Sequence, residues 1–194
     1  MTRSQTRKYT LGKRAESQAE TRARIVEAAI DLHSTVGPAR TTISMIAGKA
    51  GVQRHTLYAH FPDEWSIALA CSGLSMERNP PPDAEAWRGI GARDERLRTG
   101  LRAIYDWYCE NADLLGCVLR DAEHHELTRK ISELRFGPYM AGYHAVLGAG
   151  LNAKQRAMLG LALSYFTWRT LTREGGLKQA AAVGAMADAI AAAG

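Results

Sequence analysis

Apolar residues recur at Ile43, Ile46, Ala47 and Ala50, the i, i+3, i+4, i+7 spacing of one buried helical face. Gly51 follows, a residue type that accepts the positive φ needed to stop a helix and reverse the chain. Past it, Val52 and Leu57 can turn back to the same small core. That leaves Gln53, Arg54, His55, Thr56, Tyr58 and His60 on or beside the outer face of a second short helix. Residues 41–61 are thus predicted to be two helices joined by a tight turn.

Upstream, Ile25, Ala29, Leu32 and Val36 mark the buried stripe of a first helix, which Gly37-Pro38 ends. Its start is expected near Ser17, which has capping-box spacing to Glu20, or near Thr21. Residues 1–16 are polar, basic and aperiodic, and are expected to be a flexible arm. Residues 17–62 then form a three-helix domain. Asp63 is the expected N-cap of a helix over 63–78, whose apolar residues (Trp65, Ile67, Ala68, Cys71, Leu74) fall on more than one side, as suits a connecting helix. Asn79-Pro80-Pro81-Pro82 cannot continue a helix, so the domain boundary is placed there, with 79–194 as a larger second domain.

In that second domain Leu97, Leu101, Ile104, Tyr105 and Tyr108 recur at helical spacing, and Trp107 and Cys109 widen the arc until the helix looks surrounded. Leu114, Leu115, Val118 and Leu119 predict a short helix. A long one follows from Glu126, with Leu127, Ile131, Leu134, Tyr139, Tyr143 and Leu147, and Gly137-Pro138 should kink or divide it. Two more helices are predicted over 153–173 and 177–193, separated by Gly175-Gly176. The first carries two apolar stripes, Leu159, Leu163, Phe166 and Thr170 beside Met158, Leu161, Ala162 and Tyr165, so it should have two neighbours. The last is rich in Ala around Gly184, which would let its backbone approach a partner closely.

Composition agrees with an all-α fold: Ala and Leu are abundant and Phe occurs only three times in 194 residues. An odd set of three cysteines, Cys71, Cys109 and Cys117, implies no disulfide framework and suits a reducing cytoplasm. The basic N-terminus lacks the apolar core of a signal peptide, and no apolar run reaches membrane-spanning length, so a soluble, cytoplasmic protein is expected. Charge is unevenly placed. Residues 1–60 hold ten Lys or Arg against four Asp or Glu, and the remainder holds fifteen against sixteen. An electropositive front on a near-neutral body is the footprint of a nucleic-acid reader with a separate second function. The donors, acceptors and cation on the second short helix are the residue types that read base edges and grip phosphates, and a helix-turn-helix places such a helix in a major groove.

The run from Thr41 through Ile46-Ala47, Ala50-Gly51-Val52, Thr56-Leu57-Tyr58 and His60-Phe61-Pro62 resembles the signature of the TetR family of bacterial repressors. Thr21-Arg22, Ile25-Val26, Ala28-Ala29 and Val36-Gly37 match in the first helix, so the resemblance covers roughly the first third of the chain. It implies a three-helix DNA-binding domain joined by a fourth helix to a larger helical domain for effector binding and dimerisation. It also implies a homodimer through the last two helices and a double-stranded operator as partner. By resemblance and position, Gln53, Arg54, His55 and Thr56 form the leading turn of the recognition helix. Arg54 is the natural bidentate reader of guanine. Thr42 and Ser44 open the preceding helix, whose N–H groups suit a phosphate. Tyr58 and His60 match positions that commonly hold the DNA backbone. Two positions depart from the pattern. Gln53 stands where a small polar N-cap is usual, and Glu64 lies near the place of a phosphate-gripping lysine, a contact for which Arg40, Lys49 or the N-terminal arm would compensate.

Other constellations carry less. Asp121, Glu123, His124, His125 and Glu126 are a ligand-like cluster, but no metal-site spacing is present and a solvated helix junction is expected. His33 reads as a packing or surface residue. Cys109 and Cys117 read as buried packing residues. No nucleophile with an adjacent base, paired-carboxylate motif or nucleotide fingerprint occurs, so neither an enzyme nor a cofactor or metal site is expected.

The second domain has more large rings than a helical bundle requires. Tyr105, Trp107, Tyr108, Tyr143, Tyr165, Phe166 and Trp168, with Cys109, Met140 and His144, are expected to line a pocket for a neutral, largely apolar effector. Such an effector would release the operator by moving the recognition helices. In the competing reading the C-terminal half serves only assembly or protein contacts.

Overall fold

The computed structural model describes residues 3–194, with side chains described from Ala15 onward. Every regular element among them is helical. Two compact units are present, Met1–Arg78 with Gly116–Ile131, and Asn79–Leu115 with Ser132–Gly194. The break at Asn79 coincides with the proline run. Segment 116–131, which the sequence alone assigned to the second domain, instead groups with the first unit.

The first unit is built on α1 (Arg3–Thr35), α2 (Ile43–Ala50), α3 (Arg54–His60) and α4 (Glu64–Arg78). Ile25, Val26, Ala28 and Ala29 of α1 meet Ile43, Ile46, Ala47 and Ala50 of α2, Leu57 and Phe61 at α3, and Ile67 and Cys71 of α4 in one core. Helix α1 does not start at Ser17 or Thr21, and the segment expected to be a flexible arm is helical from Arg3. Arg, Lys, Gln, Leu and Ala are good helix formers, and Gly12 alone costs only about 1 kcal/mol. Ser17 is therefore helix interior, its carbonyl accepting the Thr21 hydroxyl at 2.8 Å. Met1 and Thr2, and the side chains of residues 3–14 of the basic arm, lie outside the described residues.

Helix ends are set by local chemistry. Gly37, at φ 97°, closes α1, and the N–H groups of Val36 and Gly37 both donate to the Leu32 carbonyl. A 3-10 turn over Pro38–Arg40 leads to Thr42, whose Oγ1 accepts the Met45 N–H at 3.2 Å and caps α2. Gly51, at φ 67°, ends α2 in the left-handed conformation, and the Val52 N–H returns to the Ala47 carbonyl at 3.0 Å. Asp63 Oδ1 accepts the Ser66 N–H at 2.7 Å, the cap expected for α4.

The second unit contains α5 (Arg93–Glu110), α8 (Ala153–Ala162), α9 (Tyr165–Arg169) and α10 (Gln179–Ala192). Helices α6 (Ala112–Ala122) and α7 (Glu126–Leu147) have one part in each unit. Helix α5 is central, burying Leu97, Gly100, Leu101, Ile104, Tyr105, Trp107 and Tyr108. A Cβ on Gly100 would sit 2.6 Å from Leu147 Cδ2 and 3.0 Å from the Trp87 ring, so any larger residue would force the Leu147 side chain of α7 to shift. Helix α7 runs through Pro138 as one element and is not divided there. The segment 153–173, expected as one helix, is broken at Leu163-Ser164 and continues from α9 into a π-helical turn over Thr170–Glu174. The break is stabilised from outside: Tyr105 donates its hydroxyl to the Ala162 carbonyl at 2.9 Å and Tyr108 to the Leu163 carbonyl at 2.6 Å. Those hydroxyls bond the two carbonyls at the break.

Candidate nucleic-acid interface and aromatic core

Helix α3 is short and anchored by few residues. Leu57 is 0% exposed and is the one buried residue within it, with Phe61 buried just past its end. On the other side Gln53, Arg54, His55 and Tyr58 are exposed, and Thr56 and His60 are partly so. Gln53 is the N-cap but makes no side-chain cap bond, so its amide adds nothing to the helix start. His55 Nε2 and Thr56 Oγ1 lie 3.3 Å apart. Arg40, Thr42 and Ser44 are all exposed where the chain enters α2. The Lys49 ammonium is paired with Asp31 of α1 at 2.5 Å, a surface pair worth no more than about 1 kcal/mol. Glu64 opens α4, where an anion complements the helix dipole.

Two contributors escaped the sequence reading. Arg22 lies over the Phe61 ring, 4.7 Å from its centroid, holding a cation beside the end of α3. Asp121 is not solvated as expected but 1% exposed, bonded to Arg120 and to the Ala39 N–H. Burial by itself would raise its carboxyl, but the Arg120 and Ala39 hydrogen bonds outweigh that and hold it below the usual carboxylate range. The available signal was an ionisable residue one turn beyond Val118, on the apolar side of α6. Among the described residues no group of three or more His, Cys, Asp and Glu side chains is placed to hold a metal ion.

His33 is half-buried beside the first unit's core, its Nδ1 3.5 Å from Sγ of the buried Cys71. Burial pushes its imidazole down to about 4; Asp121 opposes the shift and His125 adds to it. A folded value below the unfolded 6.5 means that His33 contributes stability present above pH 6.5 and lost as pH falls toward 4. Between pH 7 and pH 5 the first unit should lose on the order of 2 kcal/mol through this residue. Urea unfolding of the wild type and of His33→Gln at both pH values checks this, and the variant should show a smaller loss.

The rings expected to line a pocket form a packed cluster in the second unit. Tyr108 meets Tyr165 at 5.6 Å and Trp168 at 6.1 Å, and Trp107 meets Phe136 at 5.9 Å, between ring centroids. Their polar atoms are occupied. Besides Tyr105 and Tyr108, Tyr165 donates to the Ala112 carbonyl and Tyr143 to that of Pro82, both at 2.8 Å. Trp107 Nε1 donates to the Asn79 carbonyl at 3.1 Å and Trp168 Nε1 to Gln179 Oε1 at 3.2 Å. Phe166 and Met140 are half-buried. Cys109 and His144 are exposed. Cys109 thus corrects the expectation of a buried thiol: it falls just outside the arc that α5 buries. Cys117, half-buried, donates to the Ser34 carbonyl at 3.4 Å.

A short helix anchored by one leucine, set after a glycine turn and exposing polar side chains, defines a helix-turn-helix DNA-binding domain. Residues 25–70 match the model for bacterial regulatory proteins of the TetR family, which identifies this part of the chain as a DNA-binding domain of the TetR type. No curated protein matches the chain. Solved structures share its fold along most of its length. The transcriptional regulator FadR from Bacillus subtilis in complex with stearoyl-CoA is 18% identical, with a TM-score of 0.62 over 87% of this chain and 96% of its own. The fatty acid degradation regulator FadR from Bacillus halodurans is 15% identical, with a TM-score of 0.61 over 88% and 94%. A TetR-like transcriptional regulator from a Rhodococcus species is 18% identical, with a TM-score of 0.61 over 88% and 93%. No helix among the described residues is long and apolar enough to cross a membrane.

Proposed function

We propose that the chain is a ligand-responsive repressor that binds a pseudo-palindromic operator as a homodimer. The observation that carries this reading is α3 itself, which commits Leu57 to the core and leaves Gln53, Arg54, His55 and Tyr58 exposed to read and grip DNA. Dimerisation through the last helices is supported by their outer faces. Ala157 and Leu161 of α8, the latter 51% exposed, and Ala180, Ala181 and Ala185 of α10 are small or apolar and exposed. Two recognition helices about 34–36 Å apart would then meet successive major grooves. Sedimentation showing only monomer, with and without DNA, would overturn the dimer.

Arg54→Ala should reduce the preference for operator over mixed-sequence duplex by about 1–3 kcal/mol, whereas His60→Ala should weaken both more evenly. Fluorescence anisotropy with both duplexes at one salt concentration measures this. Equal losses in the two variants would show that Arg54 reads no base.

For the effector, the ring cluster and the fatty-acid regulators that share the fold make long-chain acyl thioesters and free fatty acids the first classes to test, because each offers an apolar acyl chain to the rings beside a charged head that the sequence reading had not anticipated. A ligand must favour one conformation by about 1.4 kcal/mol to change operator affinity tenfold. The competing reading, a C-terminal half used only for assembly, is favoured by the fact that the tyrosine hydroxyls and indole N–H groups named above already have partners within the protein. Titration with stearoyl-CoA, following tryptophan fluorescence and operator binding together, separates the two readings. Binding that leaves DNA affinity unchanged would remove the switch.

A further inference from the structure

Arg120 and Asp121 lie side by side near the end of α6, and both reach the junction between α1 and α2. Arg120 Nη2 donates to the Val36 carbonyl at 3.4 Å, and Asp121 Oδ2 accepts the Ala39 N–H at 2.9 Å. Within the pair, Arg120 Nε donates to Asp121 Oδ1 at 2.8 Å. Each charge meets the backbone pole that it complements: the cation meets a carbonyl at the end of one helix, and the anion meets an N–H opening the next turn. Asp121 is the one fully buried carboxylate among the described residues. Burying such a charge is costly unless it is paired and hydrogen-bonded, as this one is. The pair closes on a glycine, for a Cβ on Gly37 would lie 2.4 Å from Arg120 Nη2 and 2.5 Å from Asp121 Oδ2.

What the pair holds is the entry to α2. Ala39 precedes exposed Arg40, Thr41 ties its own hydroxyl to the Gly37 carbonyl at 2.8 Å, and Thr42 caps α2. We propose that Arg120 and Asp121 are a positioning pair for DNA binding: by clasping residues 36–39 they set where Arg40, Thr42 and the first N–H groups of α2 meet the phosphate backbone. The pair itself touches no DNA. This rests on the reading of the chain as a DNA-binding regulator.

The test uses the full chain and three substitutions. Asp121→Ala removes acceptor and charge, Asp121→Asn keeps an acceptor oxygen for Ala39, and Arg120→Gln removes the cation from a half-exposed position. Amide exchange is followed at residues 39–45 and, for comparison, in α4. Binding is measured over a salt series with the duplex that the wild type enriches from a randomised pool and with a mixed-sequence duplex. Asp121→Ala should speed exchange at Ala39 and its neighbours while α4 stays protected, and should weaken binding to the selected duplex roughly tenfold. Its salt dependence should flatten by about one phosphate contact, with Asp121→Asn intermediate. A purely structural role would speed exchange in α1 and α4 together and leave the salt slope of the folded molecules unchanged, and that result overturns the proposal. Unchanged exchange at Ala39 also overturns it. Should Asp121→Ala fail to fold, Arg120→Gln must show the same local exchange and flattened slope, or the proposal fails. If the wild type enriches no duplex, the DNA-binding reading falls and the positioning role with it, while Ala39 exchange still decides whether the pair holds the turn.

Discussion

Leu57→Ala should cost the first unit about 2–5 kcal/mol and abolish both specific and non-specific DNA binding. A helix of seven residues is far below what is stable alone in water, so α3 exists because it is packed. Its N-cap, Gln53, supplies no side-chain bond, and within the helix only Leu57 is buried. Truncation therefore removes the transfer free energy of the side chain and leaves a cavity in the core it shares with α1, α2 and α4, with little else to hold α3 in place. Leu57→Met, which roughly conserves volume, should cost less than about 1.5 kcal/mol and keep DNA binding. Urea unfolding combined with anisotropy on the selected duplex measures both quantities. A stable Leu57→Ala variant with unchanged DNA affinity would mean that α3 does not enter the groove.

Trp168→Ala is the second large effect, at about 3–5 kcal/mol in the other unit. The indole is 1% exposed, meets Tyr165 at 5.4 Å and Tyr108 at 6.1 Å between centroids, and has the Arg173 guanidinium 5.7 Å from its centre. Its N–H bond to Gln179 also ties α9 to the start of α10. Trp168→Phe, which keeps a ring but no donor, should recover most of the loss and leave about 1 kcal/mol for the missing hydrogen bond. Thermal unfolding of the three proteins measures the series. If the alanine variant were as stable as the wild type, the ring would be lining a space rather than filling one.

These two sites show what could be read from the residues alone. The helix-turn-helix was legible because its signal is local: four apolar residues at helical spacing, one glycine and one leucine specify two helices and a turn within about twenty residues. The cap at Asp63 and the stop at Gly37 were legible for the same reason. The break after Ala162 was not. Local propensity favours a continuous helix there, and the hydroxyls that bond Ala162 and Leu163 come from Tyr105 and Tyr108, 57 and 55 residues upstream. Asp121 was hidden in the same way, because one of its two partners is a backbone N–H 82 residues away. The aromatic residues of the second unit were visible as a set. Whether they enclose a ligand or one another depends on hydrogen-bond partners that no periodicity announces.

The DNA-binding unit is assembled from two pieces of chain, Met1–Arg78 and Gly116–Ile131. A single genetic crossover at the proline run would therefore hand a relative's second half a reading head stripped of its clasp, with Ala39 and the α1 terminus deprived of the groups that cover them. Shuffling among such regulators has to respect two junctions at once, or confine itself to point changes at the outward positions of α3. The second route is the cheaper one, and it predicts that operator preference drifts faster among chains of this architecture than the residues around Gly37 and Asp121.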